Sequence, residues 1–562
     1  MSVSIGGHLV AQELARAGVR DVFTLCGGHI APIYDGCLRE GIRLIDTRHE
    51  QAAAHAADAY GRLTRAPGVA IVTAGPGVTD AITGIANAFQ AQAPLVVLGG
   101  AAELRSAGRG ALQEMEQLPL VRSITKWCAT VTDPRRLREQ TQTALRLAVT
   151  GIPGPTFLEL PFDVLTAQVE APLEPPPLPG PVHSMADPEA VARAAALLEQ
   201  AERPVAFVGS QLWWDDAAAA LRALCEEIGL PVVMNAMGRG ALPAGHPLAL
   251  NHARKLAFRQ TDVCLVVGTP LDFRVGFGAG IHPSARLIQL DRDSTQFNKV
   301  RAAEVALCGH ARLVLQQLQT ALQGEAARRM QERTKPWCAA LRAEEQKRQA
   351  ELDGYIRATS RPINHYQLAA GLAEALGSQQ GGPIDPDVVL IGDGGDVVAL
   401  GAKVLPLRQP GQWLDPGPLG CLGVGAPFAL AAKALEDRDG RQRRVVVLSG
   451  DGSFGLNGFD FETCVRFGFK VTVVVGNDAA WGQIRGPQIM LFGAERAPAT
   501  KLAPVRYDRV VEALGGSGYH VDDPADLVPT LRRALEDPQV ACVNVTLDPD
   551  FVVRSGAAKL TV

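Results

Sequence analysis

Two short polar segments carry the most explicit chemistry in the chain. Gly450-Asp451-Gly452-Ser453 follows the apolar run V-V-V-L, and Asn477-Asp478 follows V-T-V-V-V, with Ser453 and Asn477 24 positions apart. Each apolar run reads as a buried strand, so the polar residues after it stand at neighbouring strand ends. Asp451 supplies an anionic oxygen there, Asn477 a neutral amide oxygen, and the glycines bring backbone amides within reach of phosphate oxygens. A small hard cation takes near-octahedral oxygen ligands, a few from protein and the rest from water and phosphate. The spacing therefore predicts a clamp for Mg2+ and a diphosphate, with the backbone carbonyl of Ala479 as a third protein ligand.

A second segment lies far upstream. Arg48-His49-Glu50-Gln51 follows the strand-like I-R-L-I-D-T and opens an alanine-rich helix, A-A-A-H-A-A-D-A-Y-G-R. A carboxylate in the first turn complements the helix dipole. Held away from water, the same carboxyl keeps its proton more readily and becomes an acid-base group.

These segments need scaffolds. Residues 1–170 alternate helix-like stretches with short apolar ones, among them D-V-F-T-L, G-V-A-I-V-T, P-L-V-V-L-G-G and P-T-F-L-E-L. That alternation specifies a parallel sheet covered by helices on both faces. It recurs over 187–325, with P-V-A-F-V-G-S, V-C-L-V-V-G-T and R-L-I-Q-L-D, and over 364–550, with V-V-L-I-G-D-G and the two clamp strands. The proline-rich segment from Pro172 to Pro181 reads as a linker, and a charged helical stretch through Arg348 joins the second block to the third. The expected fold is α/β, three domains in series, which suits a chain of 562 residues.

Composition narrows the function class. The chain is 47% hydrophobic and 20% charged with a net charge of -4, normal for a globular enzyme. No basic run points to nucleic acid, and no apolar run reaches membrane-spanning length. The ten cysteines form no C-x-x-C pair and no basic leader opens the chain, so a reduced, cytoplasmic setting is expected.

Taken together, F-T-L-C-G-G-H-I-A-P-I-Y, I-D-T-R-H-E, G-V-A-I-V-T-A-G-P-G-V-T, A-L-Q-E, I-T-K-W, W-L-D-P-G-P-L-G-C-L-G-V-G-A and the G-D-G-S to N-D clamp resemble the thiamine diphosphate (ThDP)-dependent decarboxylase and lyase superfamily over essentially the whole length. Within it the chain is most similar to the 2-hydroxyacyl-CoA lyases of the acetolactate-synthase-like branch, and next to benzaldehyde lyase. The resemblance implies a pyrimidine-binding domain, a central domain and a diphosphate-binding domain. It implies that Glu50 activates the cofactor by bonding the pyrimidine ring nitrogen. His29, in G-G-H, matches an active-site histidine of the benzaldehyde-lyase-like group, and Gln113 matches a glutamine beside cofactor and substrate. Leu422 matches the bulky apolar residue that props the cofactor in its bent form. Gly450, Asp451, Gly452, Ser453 and Asn477 match the diphosphate and metal segment.

Departures from the family pattern limit the carry-over. Val398 and Pro416 stand where benzaldehyde-lyase-like enzymes have polar residues. Acetolactate synthases usually carry methionine at the Leu422 position, and proline and alanine where this chain has Cys26 and His29. Trp481, just past Ala479, is either a pocket wall or a buried anchor. In the central block Gly209-Ser210 and Gly268-Thr269 follow strands, Asp291 ends R-L-I-Q-L-D, and Arg274 is a candidate diphosphate partner; relatives bind FAD, ADP, the adenine part of CoA, or nothing there. The expected reaction is cleavage of a 2-hydroxyacyl-CoA to an aldehyde and formyl-CoA, with the reverse acyloin-type condensation. The rivals are an acetolactate-synthase-like pyruvate carboligase, a benzaldehyde-lyase-like enzyme and a non-catalytic subunit of the same fold. The family's shared sites imply a homodimer or homotetramer.

Overall fold

The computed structural model describes residues 4–170, 174–176, 182–358, 361–378 and 382–554. Of the proline-rich linker, residues 172, 173 and 177–181 lie outside the described residues. Three larger sheets follow one another along the chain, and every strand pair within them is parallel.

The first and third sheets have the same plan. Numbered in chain order, the six strands of the first (Asp21–Thr24, Arg43–Asp46, Gly68–Val72, Leu95–Ala101, Trp127–Thr130, Thr156–Pro161) lie side by side as 2-1-3-4-6-5. The six of the third (Val388–Asp393, Trp413–Leu414, Arg444–Gly450, Val471–Asn477, Ser517–Val521, Ala541–Thr546) lie in the same order. The five-stranded central sheet runs 2-1-3-4-5 from Pro204–Val208 to Val305–Cys308. In all three the strand order reverses between strands 1 and 3, and the crevice at the carboxyl ends of those strands is where α/β sheets hold ligands.

The inner strands are Val-rich because helices cover both faces. Val445, Val446, Val447 and Leu448, and Val471, Val473, Val474 and Val475, are all buried. The helix Glu50–Thr64 is built mainly of small residues for a related reason. Ala52, Ala53, Ala54, Ala56, Ala57 and Ala59 are buried around its whole circumference. It lies between the helix Pro76–Ala91 and the helix Gly425–Ala434 of the third domain, whose alanines are buried too. A single apolar core accordingly runs from Phe23 and Ile45 through these helices to Phe428 and Val473.

Arg62 locks that junction. It is 1% exposed, pairs with Asp58 through Nε and Nη2 at 2.7 Å each, and lies over the Phe428 ring at 5.1 Å. It also donates to the carbonyls of Asp415, at 2.6 Å, and Pro416, at 3.3 Å, in the third domain. Its own carbonyl accepts from the Trp213 indole of the central domain at 2.6 Å, so all three domains meet at one residue. Removing one member of such a buried pair leaves an uncompensated charge at a cost of about 3–5 kcal/mol.

The helix Glu325–Ile356 connects the central domain to the third, as the charged stretch predicts. The ten cysteines are all free thiols. Among the described residues no helix is long and apolar enough to cross a membrane.

Candidate active site

At the crevice of the third sheet, Gly450 lies opposite Gly476 in the parallel register, so Asp451 and Asn477 leave adjacent strands side by side. Asp451 opens the helix Asp451–Asn457 and is buried. Its carboxyl accepts from the amides of Gly452, at 2.7 Å, and Ala480, at 3.2 Å. The Asn477 amide is oriented by its neighbours: Nδ2 donates to the Val505 carbonyl at 2.8 Å and to Asn544 Oδ1 at 3.0 Å. Its Oδ1 is thereby turned to the loop side, where it accepts from Ala479 N at 3.2 Å. Ala479 has φ +52°, a left-handed conformation, and its carbonyl accepts from Leu502 N at 2.7 Å with one lone pair left over. Trp481 sits where a side chain on Gly452 would come within 2.5 Å of its ring, so it anchors the loop by packing on that glycine.

Around the clamp stand carboxyls that hold their protons more tightly than free ones. Burial pushes Asp451 up to about 6. Burial and the neighbouring Asp451 and Asp396 carboxyls push Asp478 up to about 8. Asp396, raised to about 6 by burial, has a buried Oδ2 with no hydrogen-bond partner. Among the described residues no salt bridge reaches Asp451 or Asp478. Next to them, a side chain on Gly394 would fill the space 3.1 Å from Gly450 N and 3.3 Å from Ser453 Oγ. Clustered carboxyls beside an open, amide-lined cradle fit a divalent cation carrying a diphosphate.

Leu422 is presented by two supports that sequence reasoning missed. The buried Asp393 carboxyl, at the end of the first strand of this sheet, accepts from Gly423 N and Gly425 N, both at 2.9 Å. Asn457 Nδ2 donates to the Gly423 carbonyl at 2.8 Å. The aspartate of V-V-L-I-G-D-G was visible as a strand-end acid, yet its partners lie about thirty residues downstream. Val398 belongs to the apolar core of this domain.

The other predicted groups gather at the carboxyl ends of the first sheet. Glu50 is buried at the start of its helix, with His49 as the N-cap. Burial first, and then the Asp80 charge, raise Glu50 above the usual carboxylate range, while its own backbone amide and His49 act the other way. The half-buried His29 places Nδ1 3.4 Å from Thr73 Oγ1 and meets the Phe162 ring edge-on. Gln113 has φ +60° and lies against Gly75, where an added side chain would come within 2.9 Å of its carbonyl. The Thr73–Gly75 turn thus touches both His29 and Gln113. Gln117, another residue missed in the sequence, fixes that turn. Its Oε1 accepts from Gly75 N at 2.9 Å, and its Nε2 donates to the Gly100 carbonyl and to Glu159 at 3.0 and 2.9 Å.

Within one chain the structure keeps the Glu50 group and the Asp451 group on separate sheets. One bond between the two regions is that of the Arg48 amide, which donates to Asp460 Oδ1 at 2.8 Å. In the central domain Arg274 commits Nε and Nη2 to Asp272 at 3.0 and 2.7 Å. It stands beside a cavity of about 210 Å³ lined by Thr269, Phe277, Asp291 and Lys299, among others.

Known proteins resemble all three regions. Residues 5–120 match the thiamine pyrophosphate enzyme N-terminal TPP binding domain, 191–318 the central domain and 393–545 the C-terminal TPP binding domain. The acetolactate synthase large subunit of Mycobacterium tuberculosis is 40% identical over 97% of this chain and 96% of its own length. The 2-hydroxyacyl-CoA lyase 2 of mouse is 36% identical over 97% of this chain and 90% of its own, and the human protein of that name is 36% identical over 96% and 88%. With both cofactor-binding domains and the central domain present, the chain belongs to the thiamine pyrophosphate enzyme family and is a ThDP-dependent enzyme.

Proposed function

We propose that this enzyme is a Mg2+- and ThDP-dependent carbon–carbon lyase that cleaves a 2-hydroxyacyl-CoA to an aldehyde and formyl-CoA, and runs the reverse condensation. The supporting observation is the position of His29. Breaking the bond between the hydroxyl-bearing carbon and the thioester carbon converts the hydroxyl to an aldehyde. Its proton must therefore leave oxygen, and in the products it ends on the formyl carbon. A site for that reaction needs a base at the substrate hydroxyl, whereas loss of CO2 from a 2-oxo acid needs none there. His29, half-buried, supplies an imidazole, and Gln113 beside the same turn supplies an amide that both donates to and accepts from the substrate oxygen.

In this reading Asp451, Asn477 and the Ala479 carbonyl would hold Mg2+, Gly450, Gly452 and Ser453 would line the diphosphate, and Leu422 would support the bent form of the cofactor. The bound cofactor supplies a carbanion nucleophile and an electron sink. Glu50 holds and returns a proton at the pyrimidine nitrogen. Because Glu50 and Asp451 sit on separate sheets of one chain, we assign each complete site to two chains of a homodimer, alone or as half of a homotetramer. The central cavity is the proposed place for ADP, the adenine part of CoA, or FAD.

An acetolactate-synthase-like carboligation of pyruvate is the second reading, favoured by the 40% identity to the mycobacterial synthase subunit. Turnover with 2-hydroxyacyl-CoAs, pyruvate and benzoin, followed by mass spectrometry with identification of nucleotide released on heating, separates the readings. Formyl-CoA without acetolactate supports the lyase. Acetolactate with bound FAD replaces it with the synthase.

A further inference from the structure

Glu50 is flanked by two side chains that the cofactor chemistry does not itself require. A ring nitrogen of His49, a Glu50 carboxyl oxygen and an Asp80 carboxyl oxygen all lie within 4.8 Å of one another, on residues from two elements. His49 precedes the helix Glu50–Thr64, and Asp80 projects from the helix Pro76–Ala91. His49 and Asp80 are each 47% exposed, whereas Glu50 is buried.

The geometry fixes what His49 can do. Its Nδ1 accepts from the Gln51 amide at 3.1 Å, capping the helix. An amide always donates, so Nδ1 carries a lone pair and the proton of the neutral ring sits on Nε2. Nε2 is the nitrogen that faces Asp80, at 3.9 Å, with the Glu50 carboxyl in the same cluster. A metal ion at this triad would need the Nε2 lone pair and would force the proton onto Nδ1, which breaks the cap. The arrangement suits proton control instead.

We propose that His49 and Asp80 are positioning residues for the Glu50 carboxyl. His49 keeps its ring beside the carboxyl and favours the ionised form, Asp80 opposes ionisation with negative charge, and their balance sets the pH at which Glu50 holds its proton. Other charges nearby are matched elsewhere. Arg48 is 3.9 Å from Glu462 and its amide is bound by Asp460, and His55, farther along the helix, is buried and lowered to about 4 chiefly by burial. The opposed effects of Asp80 and His49 on Glu50 agree with this geometry. The inference rests on the Glu50 role proposed above and is independent of the choice of substrate.

The test is the pH dependence of ThDP affinity, measured by calorimetry with Mg2+ on wild type, E50Q, D80N and H49N. H49N keeps a capping oxygen for the helix amide and removes the imidazole ring. If Glu50 is the titrating group, E50Q abolishes the pH dependence. D80N should then move the midpoint down and H49N should move it up, each by roughly half to one pH unit for partly solvated neighbours at this range. Cofactor C2-proton exchange should follow the same shifts, and D80N in an E50Q background should add nothing. Persistence of the midpoint in E50Q defeats the Glu50 role itself. Its loss in E50Q with unmoved midpoints in both neighbour variants, or shifts in one common direction, defeats this inference alone.

Discussion

The two outer domains share one strand order and hold opposite chemistries at the same place in it. In the third domain the first strand ends in Asp393, and the crevice beside it holds Asp451, Asp478 and Asp396, acids raised to between about 6 and 8. In the first domain the matching strand ends in Thr24, whose hydroxyl donates to the Ile71 carbonyl. The crevice there presents one buried carboxyl, Glu50, with an imidazole and an amide. A parallel sheet with a topological switch point creates a concave ligand site and leaves its polarity to the strand-end residues. In the proposed reading one copy of the plan is completed by a cation and the other handles protons.

Removing the cation-side acid should have the largest effect on cofactor binding. Asp451→Ala is expected to weaken joint Mg2+ and ThDP binding by roughly a hundredfold or more, since it deletes an anionic ligand outright; calorimetry with and without Mg2+ reads this directly. The metal-free protein should also show a pH signature. Asp451 and Asp478 have folded values of about 6 and about 8, above their unfolded ones. The folded chain keeps protons that the unfolded chain releases, so the contribution of these two groups to stability is fully present below about pH 4 and is lost as pH rises towards 8. Melting scans in EDTA should fall across that window and recover with Mg2+ and ThDP. A flat scan in EDTA would mean that the clustered acids ionise in the folded chain as they do in the unfolded one.

Glu50→Gln should lower turnover by roughly a thousandfold while retaining cofactor affinity near its pH optimum. The contrast with Asp451→Ala, which loses the cofactor, sharpens the division of labour. Mixing the two inactive variants tests the shared site. A heterodimer collects both defects in one site and leaves the other intact, so activity should return towards half of wild type in that species. Purified heterodimers without activity would put a complete site within one chain.

His29→Ala comes next, with roughly a hundredfold loss expected in kcat, little change in KM, and loss of one limb of the pH–rate profile. An unchanged profile with a lower Tm would make His29 a loop residue and weaken the lyase reading.

The sequence disclosed the strand ends and the helix start because the relevant signals are local. V-V-V-L before Gly450 and V-T-V-V-V before Asn477 are buried strands, and the helix after Glu50 begins where its alanines suggest. What stayed hidden depends on residues far apart in the chain. The Arg62 bonds to Asp415 and Pro416 cross more than 350 positions, and the Arg48–Asp460 bond crosses 412. No periodicity reports such pairs. The common 2-1-3-4-6-5 order was hidden for the same reason, since alternation gives strand number without neighbour order. Arg274 illustrates the limit for single side chains. Its guanidinium fork suits phosphate, but Asp272, two residues away, already occupies one side of it.

The smallest effect is expected at Asp393, where the two domains differ most quietly. Its carboxyl accepts from two amides, one on each side of Val424, and so fixes the turn that presents Leu422. Asn at this position retains one acceptor oxygen and turns an NH2 toward an amide that already donates. One of the two bonds is therefore lost, worth about 1–3 kcal/mol for an N–H left unsatisfied in a buried site. Asp393 contributes no metal ligand, so Mg2+ affinity should hold within a few-fold. Leu422 should be less firmly held, and turnover should fall about tenfold with little change in KM for substrate. Because burial raises Asp393 to about 6, wild-type turnover should carry a weak acid limb that Asp393→Asn removes. If Asp393→Asn instead loses Mg2+ as Asp451→Ala does, Asp393 belongs to the cation cluster, and the contrast with Thr24 is one of metal binding instead of loop support.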